Sequence, residues 1–375
     1  MKLVIELIGF AHGKSYGYEE YIFNLLRDFK RNRSLINASE IIIVCPEDQK
    51  EYFRPVLCDG ISVFTVKYSN MIGRQWQSEV LPRRLGLTGK DLIFYPGDFM
   101  PLRRNVTKTL MVVHDLLFMY KQLCENTLYF KLFRLKQYLY ELQGIRKANK
   151  VIAISNFTRN DILKKVSSVS SSKVETIYNY FCFDKYDCNE ERKIGDLAYP
   201  YILSVCAGNK HKNHRVLLES FSMLASQDDN IHFVLVGSIH TDALPYYENL
   251  PKDVKNRFHL MKHISNADLA YLYTNAKLYV SASLFEGLGM PVVEALYFGL
   301  PVILSDIEVH REISFNKAIY FDPLSSEDLY KKEKDTLANS PKTAPLIKKE
   351  TIVERYSSAN TSMEYIRIIN ELMKD

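Results

Sequence analysis

Short apolar runs alternate along the chain with stretches whose apolar residues recur every three or four positions. The runs are rich in β-branched residues and end at Pro, Gly or Asp, which is typical of buried strands. Helical spacing appears in "YIFNLLRDFKR" and "NFTRNDILKKV". The strands predicted in the first half are KLVIELIGF, EIIIVCP, ISVFTV, DLIFYPG, TLMVVHD and KVIAIS. Strands that alternate with helices predict an α/β fold with a parallel, doubly wound sheet.

This alternation stops over residues 176–200, where charged residues accumulate, and then restarts. The second set of predicted strands is YILSVCA, IHFVLVGS, RFHLMKHI, AKLYVSAS and PVILSD. The pattern predicts two Rossmann-like domains, an N-terminal one over residues 1–185 and a C-terminal one over residues 186–355. The last residues, about 356–375, form a predicted amphipathic helix that packs back on the first domain. Ligands of such sheets bind outside the carboxyl ends of the strands, so we expect the site in a cleft between the two domains.

Composition narrows the class of protein. The 375 residues are 47% hydrophobic and 25% charged, as in soluble globular proteins. No run of 18 or more apolar residues predicts a membrane span, and "MKLVIELIGFAHGK" lacks the features of a signal peptide. The six cysteines show no zinc spacing and are expected to be reduced thiols, which favours a cytoplasmic location.

Charge is unevenly distributed. Residues 1–185 contain 28 Lys and Arg against 18 Asp and Glu, whereas the remainder contains 21 against 26. "LPRRLGLTGK" and "PLRRNVTK" concentrate part of the basic charge. This charge belongs either to a solvated surface or to a contact with an anionic membrane face or a phosphorylated acceptor. No nucleic-acid-binding motif is present, so nucleic acid is not an expected partner.

The stretch "LFEGLGMPVVEALYFGLPVIL" holds two carboxylates eight residues apart, Glu286 and Glu294. A strand precedes the glycine-rich turn, and Pro291 suits the first turn of a helix. The N–H groups from about Gly289 to Val292 should therefore be free to bind a phosphate at the helix N-terminus. Glu294 would lie one turn into the helix, within reach of a ribose, and Glu286 would project from the loop. The alternative is that Glu294 is simply a favourable charge near a helix N-terminus and that Glu286 is a solvent-exposed charge.

The same stretch resembles the E-x7-E signature of retaining glycosyltransferase family 4. The resemblance extends along most of the chain in the same order: "YGYEEYIFNLL", "VVHDLLF", "VIAISNFTRNDIL", "YILSVCAGNKHKN" and "FVLVGS". It implies the GT-B fold, with two Rossmann-like domains facing each other across a cleft. It also implies a nucleotide-sugar donor, no cofactor and no metal.

The resemblance assigns roles to particular residues. Glu294 would hold the ribose hydroxyls, Glu286 the hydroxyls of the donor sugar, and Lys212 the leaving diphosphate. His114, at the end of a predicted strand, would lie near the anomeric centre. The remaining donor-binding residues would be Gly17, Gly208, Asn209, Lys210, Gly287, Leu288, Gly289 and Met290.

Two segments depart from the family pattern. The family often has an arginine shortly before the lysine, whereas this chain has Lys210, which lacks the bidentate fork of arginine. "IYNYFCFD" replaces the usual Asn-Gly-Val-Asp at the end of the first domain, which predicts a different local turn. Ser155 is predicted to cap a helix.

The function expected from these observations is a retaining, metal-independent hexosyltransferase. It would move a mannose, rhamnose or glucose from a nucleotide-sugar to a glycan or polyprenyl-diphosphate-linked acceptor, in assembly of an O-antigen-like or capsule-like polysaccharide. The enzyme would be cytoplasmic and peripheral on the inner face of the plasma membrane. The alternatives are a nucleotide-sugar epimerase on the same fold and a non-catalytic sugar-nucleotide binding protein. A glycosidase is disfavoured, because a helix N-terminus lowers the pKa of nearby carboxyls and so opposes an acid role.

Overall fold

The structure is a computed structural model. It describes residues 1–13, 16–97, 99–102, 107–125, 127–179, 181–186, 191–339 and 346–374. The chain forms two compact units. Unit 1 comprises Met1–Met119, Asn126–Cys182 and Tyr356–Asp375, and unit 2 comprises Tyr120–Glu125 and Phe183–Arg355. Residues 120–125, which the sequence analysis assigns to the N-terminal domain, thus belong to unit 2.

Unit 1 contains a seven-stranded parallel sheet in the order β3-β2-β1-β4-β5-β6-β7. Its elements in chain order are β1 (Lys2–Glu6), α1 (Tyr16–Arg31), β2 (Glu40–Pro46), β3 (Ile61–Val66), α2 (Met71–Arg84), β4 (Leu92–Tyr95), β5 (Lys108–Val113), α3 (Leu128–Lys147), β6 (Lys150–Ala153), α4 (Asn156–Lys165) and β7 (Val174–Thr176). The order in which the chain adds strands reverses between β1 and β4, and this position is the topological switch point of a doubly wound sheet.

One face of this sheet packs against helices α2, α3 and α4. Leu81 of α2, Leu142 and Ile145 of α3, and Ile162 of α4 lie in a single apolar core with inward side chains of the strands. Among the side chains that the structure describes, those of α2 and α3 in this core come from the second half of each helix. Ser155 caps α4 as predicted, since its hydroxyl accepts a hydrogen bond from the Thr158 N–H at 3.0 Å.

Unit 2 contains a six-stranded parallel sheet in the order β10-β9-β8-β11-β12-β13. Its elements are β8 (Tyr201–Cys206), α5 (His214–Ala225), β9 (His232–Gly237), α6 (Leu244–Glu248), α7 (Lys252–Asn256), β10 (Phe258–Met261), α8 (Asn266–Asn275), β11 (Leu278–Ser281), α9 (Met290–Tyr297), β12 (Val302–Ser305), α10 (Glu308–Ile313), β13 (Ile319–Phe321), α11 (Ser326–Asn339) and α12 (Lys349–Tyr356). This strand order repeats that of unit 1 without its last strand.

The chain ends in α13 (Ser358–Lys374), which returns to unit 1 and packs on α1. The buried hydroxyls of Tyr21 and Tyr365 share a hydrogen bond of 2.9 Å. The Arg367 guanidinium donates to the Glu175 carboxylate on β7. The predicted C-terminal helix therefore forms part of the first unit.

Every predicted strand is present, although most are shorter than the apolar runs. β7 and β13 were not predicted, because three residues are too few to show an alternation. Among the described residues the cysteines are free thiols, while Cys188 lies outside them, as do Arg103 and Arg104 of the basic stretch "PLRRNVTK".

Candidate active site

The glycine-rich loop connects β11 to α9 at the carboxyl edge of the unit 2 sheet. Gly289 caps the helix with a φ of 89°, a left-handed conformation that favours glycine. A Cβ at this position would also lie 3.3 Å from the Ile313 side chain. Pro291 follows in the first turn, as the sequence predicts.

The free N–H groups of this turn lie earlier in the chain than predicted. The Val292 N–H already donates to the Gly289 carbonyl at 3.0 Å, and Pro291 has no N–H. In the part of the chain that the structure describes, no group accepts a hydrogen bond from the N–H of Leu288, Gly289 or Met290. These three donors, at the positive end of the α9 dipole, form the candidate anion site.

Glu286 of this loop is paired with Lys212. The Lys212 Nζ lies 2.5 Å from Glu286 Oε1, and both side chains are largely buried. Lys212 ends a short 3-10 turn after β8, and the Leu284 N–H donates to the His211 carbonyl at 2.7 Å, which holds this turn against the loop. The Ser283 hydroxyl also donates to Glu286 Oε1, at 2.6 Å.

These contacts determine the charge of Glu286. Burial works to raise its pKa, but the charge and hydrogen bond of Lys212, with the hydrogen bond from Ser283, lower the pKa to about 2. A carboxyl that is ionised at neutral pH cannot serve as a general acid. Glu286 is therefore not the protonated carboxyl that a glycosidase requires.

Glu294 has a separate set of partners. Its Oε1 lies 2.9 Å from the Lys185 Nζ, and its Oε2 accepts a hydrogen bond of 2.7 Å from the Tyr273 hydroxyl. Tyr273 is fully buried on α8, and burial together with the adjacent Glu294 charge raises its pKa well above the ordinary value, so it stays a donor. Each glutamate is thus an ionic partner of its own lysine.

A series of hydrogen bonds from Ser305 and His310 holds the backbone of the Glu286 loop at Ser283. The Ser305 hydroxyl donates to the Ser283 carbonyl at 2.5 Å, and His310 Nδ1 lies 3.0 Å from both oxygens of Ser305. Because the single proton of Ser305 is used, Nδ1 must carry the imidazole proton. Burial lowers the pKa of His310 to about 4, so the ring is neutral, and its Nε2 accepts no hydrogen bond from any described residue.

Gly208, Asn209 and Lys210 lie in the turn that leads from β8 to Lys212. A Cβ at Gly208 would lie 2.6 Å from the Ser238 hydroxyl, so any other residue here would force the Ser238 side chain to move. Asn209 is exposed and donates its N–H to the Ala207 carbonyl. The structure therefore brings the predicted Gly208–Lys212 and Glu286–Met290 segments together at one edge of unit 2.

The segment of residues 120–125 is attached to this edge. The Tyr120 ring lies 4.6 Å from that of Phe285, the residue before Glu286. Glu125 accepts a hydrogen bond from the buried His240, whose other ring nitrogen contacts Asp242. These contacts could not be predicted from the sequence, because no local pattern links residues so far apart in the chain.

Two predicted site residues, His114 and Gly17, lie in unit 1. His114 directly follows β5, and its Nε2 donates to the Pro96 carbonyl at 2.9 Å. The rings of Tyr18 and Tyr21 pack edge-on against the imidazole. Gly17 lies in the first turn of α1, with no atom within 4 Å of the position a Cβ would take. Their predicted contacts with a donor stay predictions.

Unit 1 has a cleft of about 650 Å³ at the carboxyl ends of β1, β2 and β3. Its walls carry carboxylate, amide, ammonium and aromatic groups. The lining residues include Phe10, Glu47, Asp48, Gln49, Lys67 and Tyr68. Such a set of polar groups around an aromatic wall suits a polyhydroxylated ligand.

The residues that sequence reasoning missed are Lys185, Tyr273, Ser283, Ser305 and His310. Ser283 follows strand β11 and Ser305 ends strand β12, so the rule that strand ends line the site could have indicated both residues. Lys185 and Tyr273 had no such signal. Among the described residues, no three His, Cys, Asp or Glu side chains are grouped closely enough to hold a metal ion.

Comparisons with known proteins agree with this architecture. The Glycosyltransferase Family 4 model matches residues 16–181, and the Glycosyl transferases group 1 model matches residues 189–351. A glycosyltransferase from Rickettsia africae superposes with a TM-score of 0.68 at 17% identity, over 100% of this chain and 99% of that one. HepE of Anabaena, solved with UDP and glucose, gives 0.68 at 14% identity, over 99% and 100%.

A curated relative is the O-antigen chain mannosyltransferase RfbU of Salmonella typhimurium, which is 29% identical over 237 residues. The match covers 62% of this chain and 61% of RfbU. The serotype-specific mannosyltransferase WbdA of Escherichia coli is 30% identical over 38% of this chain and 18% of its own length. The chain therefore spans less than two thirds of these curated relatives.

Two parallel α/β sheets and the structural likeness define a protein of the GT-B glycosyltransferase fold. Within that class, the chain belongs to glycosyltransferase family 4, because the two family models match its N-terminal and C-terminal halves in the expected order.

Proposed function

We propose that the chain transfers a hexose from a nucleotide-sugar to a glycan or lipid-linked acceptor during assembly of an O-antigen-like surface polysaccharide. The transfer retains the anomeric configuration and uses no metal. The observation that carries this proposal is the buried Lys212–Glu286 pair beside the three available N–H groups of Leu288, Gly289 and Met290.

These contacts support the following donor-binding arrangement. The diphosphate lies at the N-terminus of α9, where the N–H donors and the helix dipole favour negative charge. Lys212 exchanges part of its contact with Glu286 for the phosphate, which leaves Glu286 able to accept hydrogen bonds from sugar hydroxyls. Glu294, held by Lys185 and Tyr273, accepts hydrogen bonds from the ribose hydroxyls.

The chemical step proceeds on one face of the sugar. The bond between the anomeric carbon and the leaving phosphate oxygen breaks, and the acceptor oxygen bonds to the same face of that carbon. The acceptor's proton passes to the leaving phosphate. Lys212 stabilises the charge that grows on this phosphate, a role in which a preorganised cation lowers the barrier without a metal.

The acceptor occupies the cleft in unit 1, whose carboxylates and amide suit sugar hydroxyls. The names of the relatives, an O-antigen chain mannosyltransferase and a serotype-specific mannosyltransferase, favour mannose over rhamnose and glucose. A lipid-linked acceptor would place the enzyme at the inner face of the plasma membrane.

Calorimetric binding of GDP-mannose, UDP-glucose and dTDP-rhamnose to the full chain tests the donor site. We expect one of them to bind, and Glu294→Ala to weaken that binding by at least about tenfold, because a carboxylate–diol contact is lost. Glu308→Ala is the matched control, since Glu308 is an exposed glutamate of α10. The proposal fails if no nucleotide-sugar binds or if both variants bind as the parent does.

Chromatography of the reaction mixture separates the alternatives. A transferase releases nucleoside diphosphate in proportion to extended acceptor, whereas an epimerase converts the nucleotide-sugar without any acceptor. A non-catalytic binding protein does neither. NMR of the product linkage then distinguishes retention from inversion.

A further inference from the structure

The large apolar side chains that are exposed in this protein are concentrated on two helices of unit 1. On α3, Leu128, Leu132, Leu135 and Leu139 follow one another at spacings of four, three and four residues. That spacing aligns them in one stripe along the helix, and it would ordinarily predict a buried face. All four leucines are nonetheless between 46% and 74% exposed.

Helix α2 extends this surface. Met71, Ile72 and Trp76 are 42%, 81% and 58% exposed. The two helices meet near Lys136 of α3, whose Nζ lies 3.4 Å from the sulfur of Met71. We call the seven side chains the exposed apolar face: Met71, Ile72, Trp76, Leu128, Leu132, Leu135 and Leu139. Monomeric proteins rarely expose so many large apolar groups unless they form an interaction surface.

The exposed apolar face lies near the carboxyl edge of the unit 1 sheet. α2 and α3 each connect parallel strands, so their first halves lie at the carboxyl edge of the sheet. The acceptor cleft opens at that same edge, and its lining residue Ser69 precedes Met71 by only two positions. A molecule held in the cleft is therefore adjacent to the exposed apolar face.

Charge distinguishes the possible occupants of this face. Helices α2 and α3 together contain eight Lys and Arg but only two Glu, a net of six positive charges, whereas the whole chain has a net of +5. Lys131 and Lys136 flank the leucine stripe. A second copy of the chain would bring two such basic surfaces together, which is unfavourable, while an anionic lipid surface attracts them.

We propose that the exposed apolar face docks on an anionic bilayer surface, with the leucines and Trp76 inserted at the headgroup level and the flanking cations on lipid phosphates. No helix in the described part of the chain is long and apolar enough to span a membrane. Docking of this kind leaves the acceptor cleft at the membrane surface. The proposal deepens the proposed function, and it depends on that function only for the identity of the acceptor.

Trp76 is the single tryptophan of the chain, so its fluorescence reports on this face without any label. We expect vesicles of phosphatidylglycerol and phosphatidylcholine to shift its emission to the blue, and brominated lipid in the same vesicles to quench it. Vesicles of phosphatidylcholine alone should bind much more weakly, and added salt should weaken the anionic binding.

Variants locate the binding surface by vesicle flotation. The double change Leu132→Ser and Leu135→Ser should weaken partitioning by at least about tenfold, since two apolar insertions are lost. Lys131→Glu with Lys136→Glu should abolish the preference for anionic lipid. The matched controls are Leu324→Ser and Lys252→Glu, at exposed positions of unit 2, and they should bind as the parent does.

The proposal is overturned if the parent does not bind anionic vesicles, or if it binds without a change in Trp76 emission. It is also overturned if the leucine variants bind unchanged, or if they dissociate a dimer seen by light scattering. Circular dichroism and thermal melting check that each variant is folded. Nucleotide-sugar binding by calorimetry separates the two proposals, because vesicle binding without nucleotide binding contradicts only the proposed function.

Discussion

The carboxyl edges of the two sheets carry similar residue types in different environments. In unit 2 the Lys212–Glu286 side chains are 14% and 13% exposed, whereas in unit 1 the Lys67–Glu47 pair of the cleft is 79% and 54% exposed. The Nζ to Oε distances are 2.5 Å and 2.8 Å. The two ion pairs thus have similar distances but very different exposure to solvent.

Solvation determines what each pair contributes. An exposed ion pair is screened and contributes little, while removing one partner of a buried pair leaves an uncompensated charge. The unit 2 edge therefore acts as a preorganised charged site, and the unit 1 edge as an adaptable surface. Substitutions should therefore have larger effects at the unit 2 edge than at the unit 1 edge.

The largest effect is expected for Lys212→Ala. Loss of the cation that we propose stabilises the leaving phosphate should lower turnover by roughly 10²–10³-fold. Lys317→Ala, at an exposed position of unit 2, is the matched control. Initial rates with saturating nucleotide-sugar measure the effect, and similar rates for the two variants would remove Lys212 from the mechanism.

The same variant changes the titration of Glu286. In the parent, burial works to raise the pKa of this carboxyl, but Lys212 is the chief group that lowers it, to about 2. Without the cation, burial remains and raises the pKa, so the residual activity should fall at a higher pH on the acid side. Rates measured from pH 4 to pH 8 show the shift, and an unchanged acid limb would contradict the pairing.

A second large effect concerns the stability of unit 2. Glu333 is fully buried on α11, and burial raises its pKa to about 8 from the ordinary 4.5, despite a hydrogen bond from Ser220. The folded state thus binds this proton more tightly, so stability present below pH 4.5 is lost as the pH rises towards 8. Glu333→Gln should stabilise unit 2 by about 3 kcal/mol at pH 7.

Thermal melting at pH 4 and pH 8 measures this difference. Glu333→Gln should raise the melting temperature at pH 8 and have little effect at pH 4, whereas the exposed Glu350→Gln should have little effect at either. Equal shifts of Glu333→Gln at both pH values would show that the carboxyl is not protonated in the folded state.

Tyr273→Phe should have a smaller effect, confined to donor binding. The change removes the 2.7 Å hydrogen bond to Glu294 but leaves Lys185 in place. We expect donor affinity to fall by roughly tenfold, as for hydrogen bonds to charged groups. Calorimetry measures the donor affinity, with Tyr330→Phe as the control. An effect on the acceptor KM alone would show that Tyr273 does not act through the donor site.

The smallest effect is expected in the unit 1 cleft. Asp48→Asn changes an exposed carboxylate, so the acceptor KM should rise by only about threefold, with donor affinity unchanged. Asp253→Asn, on an exposed position of α7, is the control. A hundredfold change in the acceptor KM would show that this cleft is as preorganised as the unit 2 site, and the comparison would fail.

Local patterns predicted much of this molecule. The alternation of apolar runs and helical stretches predicts the two parallel sheets, and the glycine-rich turn before Pro291 predicts the start of α9. The extent of the free N–H groups was wrong, since Val292 N–H is used within the helix. Strand and helix formation depend on neighbours in the chain, which is why these predictions were possible.

Other features were decided only by the tertiary structure. Lys185 and Tyr273 reach Glu294 from positions 109 and 21 residues away, and the order of strands and helices alone brings them together. The leucine stripe of α3 has the spacing of a buried face, yet the packing of unit 1 leaves it exposed. Residue spacing determines which side chains share a face, and the packing of distant elements determines whether that face meets protein or solvent.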